Sequence, residues 1–349
     1  MKILVTGNLG YVGPSVMLQL RRSYPSAYLV GMDLGFFAHC FTGVQVSPES
    51  ILDHQIYKDV RDVNQDDFEG FDTVVHLAAI SNDPMGKEFE TVTNEINYQS
   101  SIKIANLAKS SKVKSYVFAS SCSVYGEASE FAKKEDDDLN PLTAYAKSKI
   151  ETEIEVAGLA SEEVVVTCLR FATACGFTAR TRLDLVLNDF VAAAIAEGTI
   201  RILSDGTPWR PLIHVSDMGR AIDWAVSRTA INGGSMLVIN AGSDEWNYQI
   251  KELAMVVADQ ICGTSIEINL DAAPDKRSYK VDFAKFRELA PNHQPQVSLI
   301  EAVKGLRDGL SEMNFSNRDF RNSNLMRLNV LKGHIQSKRM TNRLTWIQE

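Results

Sequence analysis

With 349 residues, 45% of them hydrophobic and 23% charged, the chain has the makeup of a globular enzyme and the length for one large domain or two unequal ones. Its 44 acidic against 36 basic side chains leave a net charge of −8, which excludes nucleic acid as a general partner because phosphate backbones need a basic footprint. Five scattered cysteines without CxxC spacing, histidines without metal spacing and no stretch near the ~20 apolar residues of a membrane span predict a cytoplasmic protein with reduced thiols and no metal.

In chain order, short β-branched runs at 3–6, 28–32, 73–77, 115–119 and 164–169 alternate with amphipathic stretches at about 11–22, 91–111 and 142–159. Four of these runs are continuously apolar, as expected of parallel strands covered on both faces. The alternation predicts a doubly wound α/β fold over residues 1–175. Beyond it, helical stretches near 184–197, 216–228, 248–261 and 298–310 lie among Gly- and Pro-rich turns. They predict a smaller mixed lobe over 176–310, interleaved with a last core strand at 236–240 that returns to the first domain. The segment 311–349, rich in Asn, Arg and Lys, is expected to be a partly helical, peripheral tail.

The first run leads directly into TGNLGYVG, from Thr6 to Gly13. Gly7, Gly10 and Gly13 suit a tight turn, a close approach to a pyrophosphate and close helix–sheet packing. The helix that follows offers free N–H groups to the phosphates. Asp33 ends the second run, where a ribose-binding acid belongs. Its carboxylate suits the 2′-hydroxyl of NAD and repels the 2′-phosphate of NADP, and no Arg or Lys follows in 34–37.

Tyr145 and Lys149, in YAKSK, share one helix face. A phenol is a poor base at neutral pH, and a nearby ammonium is expected to lower its pKa. Such a tyrosine takes a proton from a sugar hydroxyl as hydride leaves and later returns it. The run at 115–119 ends in SSCSVYG, which puts hydroxyls at a strand's C-terminal end, where ligands bind in such sheets. Cys122 has no histidine in a dyad arrangement nearby and is expected to be a buried structural thiol.

Together with KDVRD at 58–62, HLAA at 76–79 and RPLIHVSD at 210–217, these motifs resemble the nucleotide-sugar epimerase/dehydratase family of extended short-chain dehydrogenases/reductases over residues 1–310. The resemblance implies a Rossmann sheet, NAD as cofactor and a nucleotide-diphosphate sugar as substrate. It also implies a homodimer built on the helices at 91–111 and 142–159. Ser121, Tyr145 and Lys149 would be catalytic. Gly7, Asn8, Gly10, Tyr11, Val12, Gly13, Asp33, Asp59, Val60, Leu77, Ala78, Ala79 and Asn97 would form the cofactor site with Tyr145 and Lys149. Asn82, Ser121, Ser123, Thr173, Arg180, Arg182, Asn188, Arg210, Arg277 and Tyr279 would serve the substrate.

Two positions depart from the galactose-type epimerases of that family: Thr173 stands where they carry Asn, and Ala272 lies near their base-contacting Arg. The family's dehydratases place an Asp-Glu pair after the catalytic hydroxyl, and its decarboxylases usually keep an acid there. This chain has Cys122 and Ser123 instead. The resemblance therefore implies epimerisation at C4 through a 4-keto sugar. Its alternatives are a dehydrogenase, a 4-ketoreductase or a dehydratase of the same family, and, in another class, a non-catalytic NAD-binding sensor.

Overall fold

The computed structural model describes residues 1–127, 131–272 and 277–347. Its centre is a parallel sheet of β1 (Lys2–Thr6), β2 (Tyr28–Asp33), β3 (His54–Tyr57), β4 (Thr73–His76), β5 (Ser115–Ser121), β6 (Val165–Phe171) and, from far along the chain, β10 (Met236–Ala241). The spatial order is β3-β2-β1-β4-β5-β6-β10, so the chain reverses direction across the sheet between β1 and β4. The expected last core strand is β10, paired in parallel with β6. β3 had no apolar run to announce it: it is the edge strand, with its end residues exposed and its two central residues half-buried.

Both faces of the sheet are covered, as its apolar strands require. On one face the helices Gly13–Ser23 and Val215–Ser227 bury Met17, Leu20, Ile222 and Trp224 against Val5, Val75 and Ile239. Gly219 makes their close crossing possible, since a Cβ there would stand 3.0 Å from the Ser15 carbonyl oxygen. On the other face the helices Ser100–Ser110 and Ala144–Val156 cover Leu4, Val30 and Val74. The second lobe packs helices Val186–Glu197, Ile250–Gln260 and Leu299–Glu312 around Leu187, Phe190, Leu253 and Leu306. Its small sheets are β7 (Thr173–Cys175), β9 (Trp209–His214) and β11 (Asn247–Gln249), and the pair β8 (Thr199–Ile202) with β12 (Ser265–Ile268). No described helix is long and apolar enough to cross a membrane.

The tail differs from its expectation as a peripheral appendage. It forms the helix Arg327–Gln336 and buries Leu331, Met340 and Leu344 completely or nearly so in the core of the first domain, while Phe320 fills the core of the second lobe. Trp346 Nε1 donates to the Leu34 carbonyl at 2.8 Å, just past the end of β2. Arg61 donates to the carbonyls of Arg343 at 2.8 Å and Leu344 at 3.1 Å. Truncating Leu331 to Ala should therefore lower stability by about 2–5 kcal/mol, the range for a buried leucine. Urea unfolding measures it, and a change under ~0.5 kcal/mol would mean that the tail contributes no core.

Candidate functional site

A cavity of about 1020 Å³ opens at the carboxyl edge of the sheet and runs from the end of β2 into the second lobe. This edge, at the point where the strand order reverses, is where doubly wound sheets bind ligands. Gly7 leaves β1 with φ +75°, and a Cβ on it would stand 2.5 Å from the Ala78 nitrogen. A Cβ at Gly13 would meet the Asn8 carbonyl at 2.0 Å. Only glycine allows either contact. Gly10 faces the cavity, where a Cβ would approach nothing nearer than the Gly7 oxygen at 3.2 Å. No side chain caps the helix Gly13–Ser23 and no acid lies in its first turn, so its free N–H groups and positive end suit an anion.

Gly7, Gly10, Tyr11 and Val12 line the cavity, together with Asp33, Asp59, Val60, Leu77, Ala78 and Ala79. Asp33 accepts from the backbone nitrogens of Leu9 at 3.1 Å and Gly35 at 2.7 Å, while burial pushes its pKa up. Asp59 is held by Arg61 at 2.6 Å. Asn8, Gly13 and Asn97 are not on the wall. Asn8 is buried against Gln55 at 2.7 Å. Asn97 grips both backbone groups of Ile80, at 2.7 and 2.9 Å, and so fixes the segment leaving β4. It sits in the π-helical turn Glu95–Gln99, of a kind often found at functional sites.

β5 delivers Ser121 to the cavity, where it caps the turn Cys122–Tyr125 by accepting from the Ser123 nitrogen at 3.2 Å. Thr143 caps the helix Ala144–Val156, which brings Tyr145 and Lys149 to the same wall. The phenol was expected to be lowered by Lys149; instead it lies at about 12. Burial raises it most, the Ser121 hydroxyl pulls it down, Asp83 raises it and Arg182 lowers it. Lys149 is buried, donates to the Ala119 carbonyl at 2.7 Å and lies 5.5 Å from the Tyr145 ring centroid. Burial brings it down to about 8, against the pull of Glu153. Ser123 lines the cavity, and its hydroxyl is buried with no hydrogen-bond partner among the described residues. Cys122 is fully buried against the Arg170 carbonyl, and burial pushes its thiol upward, as a structural cysteine requires.

On the far side, Asn82, Thr173, Arg182, Arg210, Arg277 and Tyr279 line the cavity. Asn82 donates to Asp184 at 2.7 Å, and Asp184 pairs with Arg182, whose other terminal nitrogen reaches Ser81 at 2.9 Å. Arg277 pairs with Asp83 at 3.0 Å, and the Arg210 guanidinium lies 5.8 Å from the Tyr279 ring centroid.

Two expected substrate contacts are corrected. Arg180 is buried away from the cavity, tied to Glu49 at 2.5 Å and to the Ala38 carbonyl. Asn188 is wholly buried and off the cavity wall, its side chain accepting from the Gly176 nitrogen and donating to Tyr11 Oη and the Arg182 carbonyl. Sequence reasoning missed the wall residues Phe36, Phe37, Asp189, Arg321 and Arg327. The available signal was the helical spacing of Leu328, Leu331 and Ile335, which marks the tail as a packed element that brings its arginines to the core.

The sequence model of the NAD dependent epimerase/dehydratase family matches residues 3–242. The UDP-N-acetyl-alpha-D-glucosaminuronate decarboxylase of Bacillus cytotoxicus is 27% identical over 314 residues, 86% of this chain and 91% of that protein. The UDP-glucose 4-epimerase of Corynebacterium glutamicum is 29% identical over 277 residues, 72% of this chain and 78% of the other. The structure of UDP-glucuronic acid 4-epimerase from Bacillus cereus, in complex with UDP-glucuronic acid and NAD, is similar with a TM-score of 0.75. It shares 24% identity and covers 90% of this chain and 100% of its own.

Two buried histidines couple this scaffold to pH. His76 joins Thr6 Oγ1 at 2.6 Å to Ser101 Oγ at 2.8 Å beneath the cavity, and burial lowers its pKa to about 3. His214 caps the helix Val215–Ser227, and burial lowers it to about 4. Unfolding restores both to 6.5, so below that value the unfolded chain binds protons the folded one refuses. Their contribution is complete above pH 6.5 and is lost as pH falls towards 4, by up to about 1.4 kcal/mol per pH unit for each ring. Urea unfolding should show a lower midpoint at pH 5 than at pH 7. Ring resonances of the two histidines that titrate near 6.5 would contradict this.

Proposed function

Because the chain belongs to the NAD dependent epimerase/dehydratase family, we propose that it inverts C4 of a nucleotide-diphosphate sugar through a transient 4-keto sugar. The observation that carries this is the convergence of Ser121, Tyr145 and Lys149 on one cavity, with Cys122 and Ser123 rather than a carboxylate pair following Ser121 in the sequence. The acids on the substrate side are already paired: Asp184 with Arg182, Asp83 with Arg277 and Asp189 with Arg321. Elimination of water across C5–C6 needs an unpaired acid and base there. The names of the relatives support a UDP-sugar as substrate.

The residues present fit NAD: an uncapped helix end with room at Gly10 for phosphate, and a buried carboxylate at Asp33 for a ribose diol. When bound, NAD supplies the hydride acceptor and a cationic ring in the cavity. Tyr145 takes the proton from the C4 hydroxyl, and its rise to about 12 without added charge means that positive charge must bring it into range. Lys149, cationic below about 8 and fixed by the Ala119 carbonyl, would hold the ribose hydroxyls of the cofactor. Ser121 polarises and orients the same hydroxyl. On the return, Tyr145 gives the proton back to the carbonyl oxygen of the sugar. Ser123, Arg182 and Asn82, which line that part of the cavity, would border the sugar. We also propose a cytoplasmic homodimer, to which the 67% exposure of Ile154 on the helix Ala144–Val156 lends support.

Tyr145→Phe should leave NAD binding intact and cut turnover by about 10²-fold or more, the scale of a lost general acid–base group. Ser121→Ala should cost less, and near-normal turnover in Tyr145→Phe would exclude the mechanism. Product formed in D₂O should carry no added mass and no stoichiometric NADH should appear. Loss of water with one deuterium gained would mean dehydration, and net NADH a dehydrogenase.

A further inference from the structure

The family match ends at residue 242, yet the wall of the cavity does not. Arg327 opens the last helix, Arg327–Gln336, and lines the cavity although only 1% of it is exposed to solvent. Its Nη2 donates to the Arg180 carbonyl at 2.6 Å. Its Nη1 is buried and has no hydrogen-bond partner among the described residues. A buried charged donor left unbonded is unfavourable and calls for an acceptor.

The surroundings identify that acceptor. The guanidinium lies 5.1 Å from the Phe37 ring centroid, and Phe36 and Phe37 form the wall just beyond Asp33. Both Arg327 and Arg182 lie close enough to Tyr11 to act on its phenol, and Tyr11 precedes the uncapped helix end. Arg180 and Arg182 are each closed by a carboxylate, Glu49 and Asp184. Burial, with Arg182 and Arg180 beside it, brings Arg327 down to about 10 against the pull of Cys40 and Asp184, so it remains a cation at neutral pH. The tail that carries it is fastened to the same end of the cavity: His334 meets the Phe36 carbonyl at 3.1 Å, and Trp346 meets that of Leu34.

We propose that Arg327 is a cofactor-binding residue whose Nη1 donates to a pyrophosphate oxygen of the dinucleotide, so that the C-terminal tail completes the site begun by the glycine loop. This rests on the reading of the cavity as an NAD site and is independent of the sugar chemistry. A guanidinium suits the role because its planar fork holds the Arg180 carbonyl and a phosphate oxygen at once.

Calorimetric titration of the wild-type chain, Arg327→Gln and Arg327→Lys with NAD, ADP, adenosine and UDP tests it. Arg327→Gln should bind NAD and ADP about tenfold to a hundredfold more weakly, with adenosine and UDP unchanged. Arg327→Lys keeps a charge and a donor for the Arg180 carbonyl but not the fork; it should fall between the two and serves alone if Arg327→Gln does not fold. Equal losses for adenosine and ADP would make Arg327 a wall residue only and overturn the assignment. So would unchanged NAD affinity in both variants, or a loss confined to UDP, which would move the bond to the diphosphate of the sugar nucleotide. No arm involves turnover, so failure here leaves the epimerase reading intact, and an inactive enzyme that passes these titrations overturns only that reading.

Discussion

Gly7 turns out of β1 where a Cβ would stand 2.5 Å from the Ala78 nitrogen, at the reversal of strand order between β1 and β4. A side chain there would force β1 and β4 apart at their carboxyl ends. With glycine, the two strand ends close up, His76 bonds across to Thr6, and Asn97 clamps the segment beyond β4. The cavity is the crevice that this closure leaves, and strand ends, helices and loops from both lobes line it. Parallel pairing across seven strands makes that position rigid, because the sheet is buried on both faces and cannot slip in register without exposing its apolar residues.

Behind Ser121 and Tyr145 lies a buried layer of charge. Glu153 accepts from Ser120 and pairs with Arg170 at 2.8 Å, both almost fully buried. Arg170 also reaches Tyr125 and the Glu135 carbonyl, so the strand ends of β5 and β6 are tied to the helix that bears Tyr145 and Lys149. Breaking one partner of such a pair leaves an uncompensated buried charge, which holds the arrangement to a single geometry. Glu153 also favours the cationic form of Lys149, in opposition to burial. Tyr145 and Lys149 therefore sit in an environment set in part by Glu153 and Arg170, which do not line the cavity.

The tail shows how a polar composition can hide a structural role. Its buried apolar residues are few, at Phe320, Val330, Leu331, Met340 and Leu344, and the arginines between them act through stems and guanidinium forks as much as through charge. Arg321 pairs with Asp189 and Glu197 on one lobe, while Arg327 and the bonds of Arg61 to Arg343 and Leu344 fasten the other. One segment thus spans the cavity from substrate side to cofactor side.

The sequence by itself determined the parallel sheet, the glycine loop, the acid at Asp33 and the shared helix face of Tyr145 and Lys149. Each of these is local: a strand's apolar run, a glycine spacing or a four-residue helical repeat places its residues without reference to distant parts of the chain. β3 escaped notice because an edge strand needs no continuous apolar run. Only the tertiary structure decided which arginine of the 178–184 stretch faces the cavity, since Arg180 is drawn away by Glu49, 131 residues earlier in the chain. It likewise turned Asn188 inward to Tyr11 and carried Arg327 to the wall from near the end of the chain. Such outcomes depend on partners remote in sequence, whose pairing and desolvation are fixed only when the layers close, and no local pattern encodes them.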